Sequence, residues 1–505
     1  MMKKILLVTG KSASEMLEKY ARQSKTPHEI HVCKTDIAAL ISAELIIKEL
    51  SGRNLSEIST IIVPGQMKGD VSVITEKLSI PCFKGPSHVA DVPLVLDMIP
   101  KIKLSPVKSA NSVLEDEIKK RADDAIKKAY KSESFRMKIG GVPIGIGITQ
   151  VLAEIADAPM LSDNEIRKKA NHYKNSGAKI IDTGMMSHET GSDRIREIIA
   201  LVKSAGLPVS IDTTNEKEIL AGVDAGVDLI MSLDETNYEI AGSIDVPAVV
   251  IPRTEKGIPK NIDDRVNLVE KLISKIGNLN NNLENRLIAD TILDPLNFNF
   301  TQSVVGYYEF RKRNPRVPVL MGVGNVVEML DADSVGVNAL LMGIASELDI
   351  DLAFTTEYSV KTKGSVRELV RASEMMYLAK TKKQTPKDLG INLLILKDKR
   401  KVRDILPEVD ENFKFIKVRK TPIKQLEEGC FRIYLDKGKI HVIYYLDDIR
   451  VGFTGTDAKD LYKAIANHPD IKISTEHAAY LGKETGKAET ALKLNKNYIQ
   501  DTELF

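Results

Sequence analysis

The stretch LPVSIDTTNEKEI, residues 207–219, reads as a short apolar strand that ends on Ile211-Asp212-Thr213-Thr214 and runs straight into a helix start. It places a carboxylate at the carboxyl end of a strand, where α/β folds keep their chemistry. The pattern recurs on both sides. AKIIDTG puts Asp182 at another strand end, and RLIADTILDP puts Asp290 and Asp294 at a third. Working outward, strands are expected at 142–149, 179–183, 208–212, 228–232, 248–251, 286–289, 318–321 and 351–355. Helical spacing fills each gap, with starts such as Ser162 before Asp163-Asn164-Glu165 and Thr214 before Asn215-Glu216. Eight strands alternating with eight helices over residues 140–383 predict a (β/α)8 barrel, and several acidic strand ends would then meet at one mouth.

The flanks differ from this centre. Residues 1–112 alternate apolar strands and helices and predict a small three-layer α/β domain. Thr9-Gly10-Lys11-Ser12 has the tail of a phosphate-binding loop, but Ile5 stands where the full motif needs glycine, so a plain strand-to-helix turn is the alternative. The segments PGQMKGD (64–70) and KGPSHVAD (84–91) are strand-end loops that either close over a ligand or merely connect elements. Residues 113–139 are charged and helical, as expected of a linker. Residues 384–505 predict a small α+β domain: FRIYLDKGKIHVIYYL pairs two strands about Asp436-Lys437-Gly438, and further strands are expected at 449–453 and near Ile471. In the final helix His477, Tyr480 and Glu484 share a face, which either binds a ligand or packs on the hairpin.

Composition narrows the function classes. The 72 basic and 70 acidic residues of the 505 leave a net charge of +2 with no basic face, which argues against nucleic acid. Cys33, Cys82 and Cys430 have no zinc or redox spacing and suit a reducing cytoplasm. MMKKILLVTG is too short an apolar run for a signal peptide or a membrane span.

Four segments, in order, carry a resemblance: GAKIIDTG, SIDTTNEKEILAGVDAGVDLI, ILDPLNF and VPVLMGVGN. Together they resemble the pterin-binding barrel shared by dihydropteroate synthases and by folate- or corrinoid-linked methyltransferases. The three-part layout is similar to archaeal proteins related to dihydropteroate synthase, which implies methanopterin or folate metabolism. The resemblance implies a reduced pterin as substrate, held by the carboxylates of Asp212 and Asp294, with Asp182, Asp290 and Ser232 as further pocket residues. A pterin's N3–H and 2-amino group lie side by side and match a carboxylate accepting two parallel hydrogen bonds. It further implies either C–N bond formation on an activated pterin, with Mg²⁺ and a diphosphate site for which Arg253 and Lys256 are candidates, or methyl transfer to a corrinoid on a partner protein. A homodimer and a non-catalytic pterin carrier fit the same resemblance.

Departures from the synthase pattern bear on that choice. The first strand ends GIGITQVLAEI, with Thr149 and Gln150 where the synthases carry an asparagine; Met231-Ser232, with Asp234 nearby, replaces an Asn-Asp pair. Neither the Ser-x-Lys after the seventh strand nor the Arg-x-His after the eighth is present, so no appreciable condensation with free p-aminobenzoate is expected. Gly322-Val323-Gly324-Asn325 resembles instead the Gly-x-Ser-Asn of the methyltransferases, and Asn338 lies near a second asparagine of that branch. The resemblance gives Asn325, with Asp212, a catalytic role at the reactive edge of the pterin; Asn325 could equally be a turn residue after Gly324.

Overall fold

The computed structural model describes residues 3–99, 102–186, 194–397 and 429–504, and its contacts divide the chain into two units, residues 1–399 and 400–505. No helix among the described residues is long and apolar enough to cross a membrane.

The first unit opens with β1 (Lys4–Thr9), β2 (His28–Val32), β3 (Ile58–Val63) and β4 (Cys82–Lys84), a parallel sheet in the order β2-β1-β3-β4. Alternation along β1 sends Leu6 and Val8 to one core and Ile5 and Leu7 to the other. Helix Ser14–Ala21 covers the second face through Leu17 and Ala21, and helix Ala43–Leu50 covers the first through Ile46 and Leu50. Burial on both faces explains why these strands are nearly continuous apolar runs.

An antiparallel hairpin follows, β5 (Met137–Ile139) and β6 (Val142–Ile144). Here the structure departs from the sequence reading. The run at 142–149 is not a barrel strand, because Gly145 and Gly147 both adopt positive φ (83° and 85°) and break it. The barrel strand begins at Gln150, and Thr149 lies at its amino end, where its hydroxyl donates to the Ile350 carbonyl (2.8 Å). Thr149 and Gln150 are therefore remote from the mouth.

The barrel strands are β7 (Gln150–Ile155), β8 (Ile180–Gly184), β9 (Val209–Asp212), β10 (Leu229–Leu233), β11 (Ala248–Val250), β12 (Leu287–Ala289), β13 (Leu320–Gly322) and β14 (Leu352–Thr356). They pair in parallel in the order β12-β11-β10-β9-β8-β7-β14-β13, and a single bridge between Ala289 and Val319 closes the ring. This is the expected (β/α)8 barrel. Leu152, Ile180, Leu229, Val249, Ile288, Leu320 and Leu352 fill its interior, and Met137, Ile139 and Ile144 of the hairpin join that core at the strands' amino ends. The bottom is thus plugged by apolar side chains, which leaves the carboxyl end as the open face.

The surrounding helices begin and end on local signals. Helix Asp163–Ser176 has a capping box, with the Ser162 side chain accepting from the Glu165 amide and Glu165 reaching back, and it stops at Gly177 with φ 99°. Helix Glu216–Asp224 is capped by Asn215, one residue later than Thr214, because the Asn215 side chain accepts from Lys217 N–H at 2.9 Å.

The second unit is a three-stranded antiparallel sheet, β15 (Cys430–Asp436), β16 (Lys439–Leu446) and β17 (Ile449–Gly455), with helices Ala458–Ala466 and Thr475–Leu494. Lys437 and Gly438, both at positive φ, make the tight turn. Ile471 is a buried core residue and not part of a strand. His477 and Glu484 are buried, the His477 ring lies 4.8 Å from that of Phe431, and Glu484 accepts from Tyr498 and Lys487. The shared face packs on the hairpin.

Candidate active site

Three carboxylates meet at the floor of the barrel mouth. Glu154 comes from β7, Asp182 from β8 and Asp212 from β9; one oxygen of each lies within 4.8 Å of the others. Strand register brings them together, since Glu154 pairs with Asp182, and Gly184, two residues on in β8, pairs with Asp212. Asp182 is fully buried; one oxygen accepts from Ser210 Oγ (2.5 Å) and the other has no hydrogen-bond partner among the described residues. Asp212 accepts from Ser232 Oγ (2.6 Å).

Like charges this close in a water-poor site cannot all be ionised. Burial, then Asp212, pushes the Glu154 carboxyl up to about 7. Burial, then Asp212 and Glu154, holds Asp182 well above the carboxylate range, and burial also raises Asp212. Near neutral pH the trio therefore shares protons and can both donate and accept hydrogen bonds. The same hard oxygen donors, with one buried Asp182 oxygen unpartnered among the described residues, suit a cation such as Mg²⁺.

Across the mouth, the segment after β12 carries the second acidic group. Asp294 pairs with Arg265 of helix Ile262–Leu279 at 2.8 Å, and Arg265 is itself held by the carbonyls of Pro259 (2.6 Å) and Ile292 (3.2 Å). Asp290 turns inward instead: Tyr307 donates to it through a short hydrogen bond and the Ile292 amide through another at 2.8 Å. Burial pushes its carboxyl up to about 6. Asp290 thus braces the loop rather than facing the opening.

Asn325 stands in the short helix Gly324–Val327, and its Nδ2 donates to the Leu293 carbonyl (2.9 Å), beside Asp294. Asn338 is elsewhere, fully buried in helix Ser334–Glu347 and donating to Ser365 (3.1 Å) and Glu368 (2.8 Å). Arg253 lies 3.6 Å from the buried Asp234 with its side chain 44% exposed, and Lys256 is exposed.

Backbone strain gathers at the same rim. Ser232 and Ile292 both adopt left-handed φ (68° and 65°), unusual for any side chain and costly for a β-branched one. The first presents its hydroxyl to Asp212, and the second lies between Asp290 and Asp294. Such strain, about 1–3 kcal/mol per residue, collects where the surroundings over-determine a geometry, as at ligand sites.

Of the residues singled out in the sequence, the structure brings Asp182, Asp212 and Ser232 into one cluster and Asp294 and Asn325 into a second. Glu154 and Arg265 were missed. A corrected strand start would have exposed Glu154; nothing local marks Arg265, which pairs with a residue far along the chain.

Residues 155–330 match a family model described as pterin binding enzyme, residues 426–501 one described as PterinBD-DUF4346, and residues 3–87 a family of unknown function (DUF6513). An uncharacterized protein of Methanocaldococcus jannaschii is 36% identical over 526 residues, covering 99% of both chains. The folic acid synthesis protein fol1 of Schizosaccharomyces pombe is 29% identical over 151 residues, 26% of this chain and 20% of that one. Among solved structures, Yersinia pestis dihydropteroate synthase with a pterine-sulfa conjugate is 18% identical, covering 48% of this chain and 98% of that one with a TM-score of 0.40. The Thermus thermophilus dihydropteroate synthase is also 18% identical, covering 45% and 92% with a TM-score of 0.36.

Proposed function

Since the chain belongs to the dihydropteroate synthase-related, pterin-binding family that includes the Methanocaldococcus jannaschii protein, we propose that its barrel mouth binds a reduced pterin of folate or methanopterin type and transfers a group at that ring. The observation that carries this reading is the proton-sharing trio of Glu154, Asp182 and Asp212 at the mouth. Asp212 is oriented by Ser232, and both its oxygens keep a lone pair for the paired N–H donors of a pterin. A protonated neighbour supplies the donor that ring nitrogens or the 4-oxo group need. Asp294, steadied by Arg265, is the second acceptor, and Asn325 lies beside it. In the synthase-like reaction Arg253 and Lys256 would hold a diphosphate, whose developing charge Mg²⁺ would help to neutralise. Pterin chemistry falls in this division to residues 140–383.

The test is fluorescence titration with a panel of reduced pterins. Asp212→Asn or Asp294→Asn removes a charged acceptor opposite ring donors. Each is expected to weaken binding tenfold to a hundredfold, about 1.5–3 kcal/mol. Unchanged affinity in both variants, with the fold intact, removes the pterin assignment.

Methyl transfer is the second reading, favoured by Asn325. With its Nδ2 anchored on Leu293, the amide is left with its carbonyl oxygen as acceptor for a ring nitrogen that becomes protonated as a methyl group departs. Asn325→Ala is then expected to slow single-turnover transfer from a methylated tetrahydropterin to free cob(I)alamin more than it weakens pterin binding. A corrinoid on a partner protein would be the acceptor in the cell. If the intact protein moves no methyl group, the synthase-like or binding-only reading stands in its place.

A further inference from the structure

We propose that the N-terminal sheet carries a second small-molecule site, of a size and polarity for an uncharged single-ring compound with a polar substituent. The argument starts from topology. In the order β2-β1-β3-β4 the chain first winds outward from β1 to β2, then returns to β3 on the other side. Helices on opposite faces, Ser14–Ala21 and Ala43–Leu50, follow from that reversal. A doubly wound sheet leaves a crevice outside the carboxyl ends of the strands where the order reverses, here between β1 and β3.

A cavity of about 170 Å³ lies at that place. The turn after β1 contributes Thr9 and Ala13, the segment after β2 contributes Ala39, the loop after β3 contributes Gly65 and Gln66, and the loop after β4 contributes Ser87. All three loops noted in the sequence therefore converge on one pocket. Hydrogen bonds tie these loops to one another and to the rest of the domain. Gln66 Nε2 donates to the Ser87 carbonyl (3.1 Å), and Ser87 N–H donates to the buried Asn111 (2.5 Å). The loops also approach too closely for a side chain at Gly65, where a Cβ would sit 2.3 Å from the Gly85 carbonyl oxygen.

The lining fixes the ligand chemistry. Among the described residues no ionisable side chain lines the cavity, and its walls are mostly aliphatic. A phosphate reading of the Thr9–Ser12 turn fails as well. The amides of Lys11 and Ser12 donate to the carbonyls of Thr35 (2.9 Å) and Asp36 (3.1 Å), while the Lys11 ammonium faces Asp36 at 3.8 Å with its side chain 62% exposed. A charged ligand would lose its hydration here without gaining a counter-charge. By size, an apolar cavity of roughly 150 Å³ accepts benzene, so this one admits a single substituted ring. Thr9, a buried residue that lines the cavity, offers that substituent a hydroxyl as donor or acceptor at the strand end.

The test uses the full-length protein and saturation-transfer NMR with phenol, aniline and benzamide, against benzoate as the charged control. The neutral rings are expected to bind, and benzoate to bind at least tenfold more weakly. Ala13→Leu and Ala39→Leu put extra carbons into the cavity and should lower the affinity at least tenfold, with pterin binding at the barrel unchanged. Should either variant fail to fold, Thr9→Val keeps the side-chain shape while removing the hydroxyl. It should reduce the preference for phenol over benzene. The proposal is overturned if none of the three neutral rings binds, if benzoate binds as well as they do, or if the folded variants bind them like wild type.

Discussion

Arg265→Ala is expected to destabilise the barrel by about 3–5 kcal/mol, the cost of removing one partner from a buried ion pair. The Arg265 side chain is 5% exposed and that of Asp294 15%, so water cannot readily replace the guanidinium. Two loop carbonyls, of Pro259 and Ile292, lose their donor in the same step. One of them belongs to the strained Ile292, so the loop loses part of what holds its left-handed backbone. Denaturant unfolding at neutral pH measures the effect. A loss below about 1 kcal/mol would mean that the pair behaves like a solvent-screened surface bridge and that Asp294 is not held for a ligand.

Glu154→Gln should act in the opposite direction, and only in one pH window. In the unfolded chain this carboxyl titrates near its ordinary 4.5; in the folded protein burial and Asp212 raise it to about 7. The folded state thus holds a proton that the unfolded state has released, so the contribution of Glu154 to stability declines as pH rises from 4.5 to 7 and is level above. At about 1.4 kcal/mol per pH unit the full decline is about 3 kcal/mol. Glutamine carries no charge to be disfavoured. The variant should match wild type near pH 4.5 and exceed it by up to about 3 kcal/mol at pH 8. A stability difference that does not change with pH would show that Glu154 is not coupled to its acidic neighbours.

The barrel was legible because the period of its strands and helices is written locally, and boundaries such as 163–176 rest on caps only a few residues long. Asp182 and Asp212 were legible for a related reason, since a carboxylate ending an apolar run has few roles other than capping or chemistry. Errors arose where a hydrophobic run had two meanings. Residues 142–149 are as apolar as a strand, and only the positive φ of Gly145 and Gly147 shows that the chain turns back to plug the barrel. That error moved the first strand end from Glu154 to Thr149 and hid one carboxylate of the trio. Arg265 and Tyr307 lay beyond sequence reading for another reason. Each is a helix residue of ordinary pattern, and its role exists only once the fold brings it to Asp294 or Asp290.

The ring of barrel strands has one weak seam. Every other neighbouring pair shares a ladder, whereas β12 and β13 meet only at Ala289 and Val319. Above that seam the Asn325 side chain reaches across to the Leu293 carbonyl, like a latch over a gap. Local opening follows the line with the fewest rungs to break. The barrel therefore has a built-in door on the side where Asp294 and Asn325 stand, and its latch is a residue assigned to the chemistry. A ligand that donates to the Asn325 carbonyl oxygen leaves the latch closed, whereas one that draws Nδ2 away from Leu293 releases it, and faster amide exchange at Ala289 on ligand binding tells the two apart.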